Sequence, residues 1–250
     1  MSIELILAVF FVVFLGALTR TAFGFGEAVV SMPLLTLLPV NLHTSVSLMG
    51  LVGITVALFS ATTGWRYINR KELIPLVFSA LAGVPIGLVM IIFILAKVMY
   101  GLLGISLIAY GGYSLYTQLI SSNEINEGIQ NPVWGLLFGF ISGVLGSAYN
   151  FTGVPIAVYG SLRGWHPQTF RGTMQAYFLL SGTLIVAGQG MSGMWNANVF
   201  TLYLFSLPAI VAAIIVGTIL HRKIPTANFQ RYVFLLIATL GAVLLVKSII

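Results

Sequence analysis

The chain has 250 residues, of which 59% are hydrophobic and only 6% are charged. Soluble domains carry about 25% charged residues, so this composition excludes a water-exposed globular surface and indicates a protein surrounded by lipid. The net charge of +6 does not indicate nucleic-acid binding, because the basic residues lie between apolar segments, where topology-setting charges are found. The chain has no cysteine, which excludes disulfides and thiolate metal sites, and no cofactor is expected.

In chain order, the sequence predicts an all-α polytopic membrane protein with about eight apolar segments. Broken apolar segments, interrupted by small residues and containing a proline, occupy residues 16–35 and 138–157. Each is followed by three runs of roughly 20 apolar residues, the length that crosses the hydrocarbon core of a bilayer. The six predicted crossings are residues 42–64, 73–95 and 98–119 in the first half and 170–189, 198–220 and 229–248 in the second.

A polar stretch at residues 121–131 divides the chain into two halves. We interpret residues 1–120 as a first transmembrane repeat, residues 121–131 as a cytoplasmic linker and residues 132–250 as a second repeat. Since each half contains one broken segment and three crossings, the topology of the halves depends on how the broken segments run.

The two broken segments resemble each other. When Gly24 is aligned with Gly146, Pro33 falls on Pro155. Paired segments interrupted by glycine and proline at matching positions indicate the binding site of a transporter. The alternative is that the small residues only allow close helix packing.

Basic residues favour a hairpin in each broken segment. Suppose that each broken segment enters the membrane and returns to the side from which it came. Arg20 lies inside the first broken segment and is not counted. Eight basic residues would then lie on one side of the membrane, and only Lys97 and Lys247 on the other. This is the asymmetry that the positive-inside rule predicts, whereas simple crossings give almost none. Each half then spans the membrane an odd number of times, so the sequence predicts two inverted repeats in an inner membrane. The eight residues are Arg66, Arg70, Lys71, Arg163, Arg171, Arg222, Lys223 and Arg231.

Two hairpins that enter from opposite sides bring their tips together near mid-membrane. The positive ends of two half-helices would converge there, and exposed backbone N–H groups at such ends bind anions. Glycines at the tips let a ligand approach the backbone, and polar side chains add hydrogen bonds. The predicted tips are residues 24–27 and 146–150. The predicted substrate-binding residues at or next to them are Gly24, Gly26, Gly146, Ser147, Asn150 and Thr152.

Charged residues extend this hypothesis. Arg20 lies inside an apolar stretch, and a buried charge of this kind indicates function, although it could also pair with Glu27 or extend to the interface. Arg171 and Gln175 are four residues apart and share a helical face. The planar guanidinium of an arginine can bind a tetrahedral oxyanion such as a sulfonate. The alternative is that Arg171 is a cytoplasmic charge that sets the topology. Glu27 could couple flux to protons, but we prefer the interpretation that it neutralises Arg20.

Enzyme signatures are missing from the sequence, which has no aspartate and no paired intramembrane carboxylates, so we expect a protein that is not an enzyme. The expected partners are a small anion and membrane lipids, with a homodimer as a possibility. An anion channel, a carrier of another small anion and a non-transporting membrane protein are the alternatives.

The motifs are similar to those of a known family. They are Gly24-Phe25-Gly26 with Met32-Pro33-Leu34-Leu35, Gly146 with Gly153-Val154-Pro155, and Leu162-Arg163-Gly164-Trp165 with Phe170-Arg171-Gly172-Thr173-Met174-Gln175. In this order and over nearly the whole length, the chain resembles the sulfite exporter TauE/SafE family. The resemblance implies export of sulfite or of organosulfonates such as sulfoacetate from the bacterial cytoplasm, along a path that the two motif regions surround. From the two halves we expect alternating access, by rocking of one half against the other. The chain departs from the usual motifs at Glu27 and at Tyr149-Asn150.

Overall fold

The computed structural model describes residues 2–61, 65–120, 131, 133–223 and 226–249. These residues form helices, with no strand among them, as the sequence predicts. The linker predicted at residues 121–131 lies outside the described part of the chain, apart from Asn131. The helices are α1 (Ile3–Phe23), α2 (Glu27–Leu37), α3 (Leu42–Ala61), α4 (Arg70–Phe93), α5 (Ala96–Ile120), α6 (Val133–Tyr149), α7 (Gly153–Leu162), α8 (Pro167–Met191), α9 (Ala197–Lys223) and α10 (Thr226–Ile249), with a 3-10 turn at Trp65–Tyr67.

Helix lengths and composition agree with a membrane protein. Among the described residues, α1, α3, α4, α5 and α9 are long and apolar enough to cross a membrane. The six predicted crossings coincide, to within a few residues, with α3, α4, α5, α8, α9 and α10. Large apolar side chains cover the outer surface, for example Phe78, Phe93 and Leu204, which are 72%, 78% and 62% exposed. Such a surface is stable against lipid and not against water.

Short breaks interrupt both predicted hairpins. The first break comprises residues 24–26 and the second residues 150–152. The sequence places the second break at Gly146–Asn150, and this position is wrong by about one helical turn, because α6 continues to Tyr149. Asn150 ends the helix in the left-handed conformation, with φ 58°, and its N–H donates to the carbonyl of Gly146 at 2.7 Å. Asparagine is one of the few residues other than glycine that adopts this conformation readily.

Helices of the two halves pack against each other in pairs. α4 lies along α6, α1 along α9, α5 along α10 and α3 against α8. The α4–α6 contact is the closest, because glycines bring the backbones together: a Cβ on Gly143 would lie 2.1 Å from the carbonyl oxygen of Ala80. Close approach at small residues is how helices associate where lipid removes the hydrophobic driving force.

The bundle has two ends, which we name after one residue at each. At the Glu72 end, Glu72 forms an ion pair with Arg163 and accepts a hydrogen bond from the hydroxyl of Tyr159 at 2.5 Å. At the His43 end, the ring Nε2 of His43 lies 2.9 Å from the carbonyl oxygen of Ile91. The start of α4 and the end of α7 are therefore at one end, and the start of α3 and the end of α4 are at the other.

Candidate functional site

A cavity of about 40 Å³ lies between the two breaks. A single water needs about 10–15 Å³ measured in this way, so the cavity has room for a few waters or a small ion. Residues of α1, α2, α3, α7, α8 and both breaks form its walls. They are Arg20, Gly26, Glu27, Ala28, Val29, Met49, Gly50, Gly53, Ile54, Asn150, Phe151, Thr152, Gly153, Phe178, Gly182, Ile185 and Val186.

A buried ion pair forms one part of this wall. Arg20 Nη1 lies 2.6 Å from Glu27 Oε2, and the same nitrogen donates to the carbonyl of Gly53 at 2.9 Å. The guanidinium carbon stands 4.5 Å from the ring centre of Phe178, a cation–π contact. Arg20 therefore pairs with Glu27 and does not extend to the interface, and only 5% of its surface is exposed.

The ion pair is incompletely hydrogen-bonded. Arg20 Nε and Nη2 and Glu27 Oε1 are buried and have no hydrogen-bond partner among the described residues. Buried polar atoms in native proteins are nearly always paired, and each exception calls for an explanation such as a binding role. Two guanidinium nitrogens beside a small cavity can bind an oxyanion through two parallel hydrogen bonds.

Two half-helices begin at the cavity. α2 starts at Glu27 and α7 at Gly153, and neither preceding residue, Gly26 or Thr152, caps its helix with a side chain. The breaks touch, since a Cβ on Gly153 would lie 3.3 Å from the Cβ of Phe25. Helix N-termini carry unsatisfied N–H groups and a partial positive charge, so both contribute a positive potential to one cavity.

The structure brings together five of the residues that the sequence singles out. Arg20, Gly26, Glu27, Asn150 and Thr152 line the cavity. The side-chain amide of Asn150 donates to the carbonyl of Val46 on α3, which fixes the second break against that helix. The hydroxyl of Thr152 has no hydrogen bond with the described residues and is available to a ligand.

The other predicted site residues do not line the cavity. Arg171 Nη2 donates to the carbonyl of Thr21 at 3.2 Å, and Gln175 Nε2 donates to that of Gly24 at 3.1 Å. From α8, Arg171 therefore holds the last turn of α1, and Gln175 holds the first residue of the break that follows it.

Two predicted residues of the second hairpin serve packing. The hydroxyl of Ser147 donates to the carbonyl of Gly143 at 2.9 Å, inside α6. Gly146 leaves room for Thr152, because a Cβ there would lie 2.3 Å from the methyl carbon of that residue. For all of these residues, substrate binding stays a prediction.

Sequence reasoning missed the walls that α3 and α8 supply. Gly50 and Gly53, one turn apart on α3, and Gly182 on α8 border the cavity. Next to Gly50, Gln189 is fully buried, and neither its amide nitrogen nor its amide oxygen has a hydrogen-bond partner among the described residues. A glycine pair at helical spacing was the available signal, although the same spacing is common where helices simply pack.

Comparison with known families gives the decisive observation. A family model described as Sulfite exporter TauE/SafE matches residues 9–244, which is nearly the whole chain. The chain belongs to the TauE/SafE family. Searches of curated proteins and of solved structures gave no match.

Membership confirms the resemblance seen in the motifs. TauE/SafE proteins are membrane transporters, which agrees with the apolar helices, with a small anion as the substrate and with lipid as the surroundings. Among the described residues, no group of histidines and carboxylates could hold a metal ion.

Proposed function

We propose that this TauE/SafE protein is a carrier that exports a small sulfur-containing anion, sulfite or an organosulfonate such as sulfoacetate, across the bacterial inner membrane. The observation that supports this most is Arg20, buried beside the cavity with two nitrogens that have no hydrogen-bond partner among the described residues. The planar fork of a guanidinium matches the oxygens of a sulfite or sulfonate group.

The electrostatics of the cavity favour an anion. Backbone N–H groups at the starts of α2 and α7 face the same small volume, and Thr152 and Asn150 add polar side chains. Each helix N-terminus is equivalent to roughly half a positive charge, so the two together can stabilise about one negative charge.

The inverted-repeat arrangement is supported by the packing. If α1–α5 correspond to α6–α10, the contact of α1 with α9 is the counterpart of that of α6 with α4, and α3–α8 and α5–α10 are self-paired. Exchanging the halves therefore leaves the main contacts unchanged, which is expected of two repeats related by a two-fold axis. In this arrangement, rocking of one half against the other would open the cavity alternately to each side.

The charges suggest an orientation for the chain. Arg66, Arg70, Lys71 and Arg163 lie at the Glu72 end, whereas Lys97 follows the opposite end of α4. By the positive-inside rule, the Glu72 end faces the cytoplasm. Of the other residues in this prediction, the side chains of Arg222, Lys223 and Arg231 lie outside the described part of the structure. The cytoplasmic linker and a homodimer stay predictions.

Flux into proteoliposomes tests this proposal. Purified protein is reconstituted, and uptake of sulfite, sulfoacetate, thiosulfate and chloride is compared at rising concentrations. We expect saturable flux of a sulfur anion that falls by about 30-fold or more in Arg20→Gln, because a buried charged hydrogen-bond donor is lost. The matched control is Arg66→Gln, which changes an exposed arginine at the Glu72 end and is expected to leave flux unchanged.

Other outcomes would contradict the carrier. Equal, non-saturating flux of every anion would indicate a channel instead. No flux of any anion, from protein that elutes as a folded species, would exclude sulfur-anion transport. Arg171→Gln is expected to have a smaller effect than Arg20→Gln, since Arg171 contacts the backbone of the last turn of α1 and does not line the cavity.

A further inference from the structure

Glu27 occupies the two positive features that an anion in the cavity would use. Its carboxylate is bonded to the guanidinium of Arg20, and it is the first residue of α2, directly at the positive end of that helix. Arg20 and Glu27 are the two charged side chains among the described residues of the cavity wall. The charges of this pair cancel, so an added anion meets a site whose arginine and helix end are already engaged.

The second half-helix has no such occupant. Gly153 begins α7 at the place where Glu27 begins α2, and the described residues on that side of the cavity wall include no carboxylate. An anion near the start of α7 would therefore be close to the Glu27 carboxylate. Two negative charges in one buried site repel strongly, because water does not screen them there.

We propose that Glu27 is a tethered competitor of the transported anion, and that an anion binds when Glu27 takes up a proton. This inference rests on the proposed function of the cavity. The proton comes from water and converts the carboxylate to the neutral acid, which frees Arg20 for the anion. When the anion leaves, the proton returns to water and the Arg20–Glu27 pair forms again. Each binding event takes up one proton.

Other titratable groups on the helices around α2 have partners elsewhere. Arg20 is the charged residue of α1 that faces Glu27, and Glu4 is exposed at the start of that helix. Among the other charged or histidine side chains that the structure describes on these helices, each contacts a carbonyl: His43 of α3 that of Ile91, Lys247 of α10 that of Thr36 and Arg171 of α8 that of Thr21. Glu27 is therefore the group whose protonation changes the charge of the cavity.

The neutral acid also offers a new contact. Glu27 Oε1 is buried and has no partner among the described residues while the pair is intact. Once protonated, a carboxyl group has an O–H that can donate to an oxyanion, whereas the carboxylate can only accept. Protonation therefore removes a repulsion and adds a hydrogen-bond donor in the same step.

Calorimetric titration of the purified protein in detergent tests the inference without requiring transport. The probe is methanesulfonate, which remains a monoanion in mildly acidic and mildly alkaline buffer. Titration in buffers with different heats of ionisation gives the number of protons taken up. We expect one proton for each anion bound to the wild type, with tighter binding in the acidic buffer.

Glu27→Gln provides the second arm, because it mimics the protonated side chain. We expect binding in alkaline buffer to become about 10-fold tighter or more, with no proton uptake and no pH dependence, since the like charge is gone. Glu4→Gln makes the same chemical change at an exposed position and should behave as the wild type.

Several results would overturn the inference. These are binding to the wild type without proton uptake, weaker or unchanged binding to a folded Glu27→Gln protein, and no methanesulfonate binding to either protein. If Glu27→Gln fails to fold, the proton count of the wild type decides alone. Loss of anion flux in proteoliposomes with intact proton-linked binding would count against the transport proposal and leave this inference standing.

Discussion

The first break, at residues 24–26, and the second, at residues 150–152, end their helices in the same way. Gly24 and Asn150 are both left-handed, with φ 89° and 58°, and the N–H of each donates at 2.7 Å to the carbonyl four residues earlier. A phenylalanine, Phe25 or Phe151, stands in the middle of each break. The backbone of the two hairpins is therefore built to one pattern, which gives the cavity two helix N-termini.

Their chemistry differs. With Gly24 placed on Asn150, Arg20 corresponds to Gly146 and Glu27 to Gly153, so both charges of the first hairpin are replaced by glycine in the second. The helix dipoles at the cavity therefore come from both hairpins, whereas the titratable charge of the described cavity wall comes from the first hairpin alone. If the cavity binds an anion, the first hairpin carries the charged side chains that control its binding and release. The second hairpin supplies a helix N-terminus without a charged side chain.

The hairpins also differ in how they are held. α6 approaches α4 through glycines, including Gly139 and Gly143, whereas the corresponding residues of α1 are Val13 and Ala17. Small residues permit closer and more extensive backbone contact. The second hairpin therefore packs more closely on its neighbouring helix, α4, than the first hairpin does on α9.

Removing the charge from the first hairpin should have the largest effect on stability. Arg20→Met leaves Glu27 buried without its partner, and we expect a loss of about 3–5 kcal/mol in the free energy of unfolding. The double variant Arg20→Met/Glu27→Met should be more stable than Arg20→Met, because no charge is left buried. Unfolding by denaturing detergent, followed by circular dichroism, measures both. A double variant less stable than Arg20→Met would show that the pair is not what couples these positions.

Loosening the second hairpin should have the next largest effect. In Gly143→Ala the new Cβ meets the Ala80 carbonyl, and we expect a loss of about 1–3 kcal/mol as α4 and α6 move apart. The control is Gly112→Ala on α5, where nothing lies within 4 Å of the new Cβ and alanine should be neutral or stabilising. Equal stability of the two variants in the same unfolding assay would contradict the close α4–α6 contact.

A smaller effect is expected at the third position of the first break. Gly26 has φ 97°, whereas its counterpart Thr152 has φ −58°, so only the first break requires glycine there. Gly26→Ala should cost about 1–2 kcal/mol through backbone strain, because a residue with a Cβ is unfavourable in the left-handed region. Gly164→Ala, with φ 63° and open space around the new Cβ, tests the strain without crowding. A thermal-stability change in Gly164→Ala but none in Gly26→Ala would argue against this backbone.

The smallest effect is expected from substitution in the second break, where the cavity wall has no charged side chain among the described residues. Thr152→Val removes one hydroxyl and keeps the shape, so the half-saturating anion concentration should rise by about 2- to 10-fold, equivalent to one hydrogen bond. The fold should be unaffected. Thr201→Val, on the exposed surface of α9, is the matched control. Concentration-dependent flux in proteoliposomes separates the two, and an unchanged Thr152→Val would remove this hydroxyl from the site.

Much of the fold follows from local properties of the sequence. The crossings could be predicted because an apolar run of the right length has one stable arrangement in a bilayer, and the lone charges Arg20 and Glu27 were conspicuous within such runs. The second break could not be placed, since Gly146 is the better helix breaker in isolation. In the structure, its small size is needed against Thr152, and Asn150 takes over the left-handed position. That exchange depends on packing, which a local pattern does not contain.

The walls of the candidate site show the same limit. Gly50, Gly53 and Gly182 have no chemistry of their own, and they matter only because two helices place them around one volume. No periodicity distinguishes such a glycine from one that lets two helices approach each other. Long-range contact between α3 and α8 supplies the information that the sequence pattern lacks.

Gly182 has a consequence for how such a protein can change over evolutionary time. A Cβ at this position would meet its nearest neighbour, Ile54, at 3.7 Å, an ordinary contact, so an alanine can be accepted without disturbing the helices. Gly182 borders the cavity, and it belongs neither to the Arg20–Glu27 ion pair nor to the contact between α4 and α6. If the cavity binds an anion, substitution at Gly182 is a route by which the size of the accepted ion can change while the ion pair and the helix packing are kept.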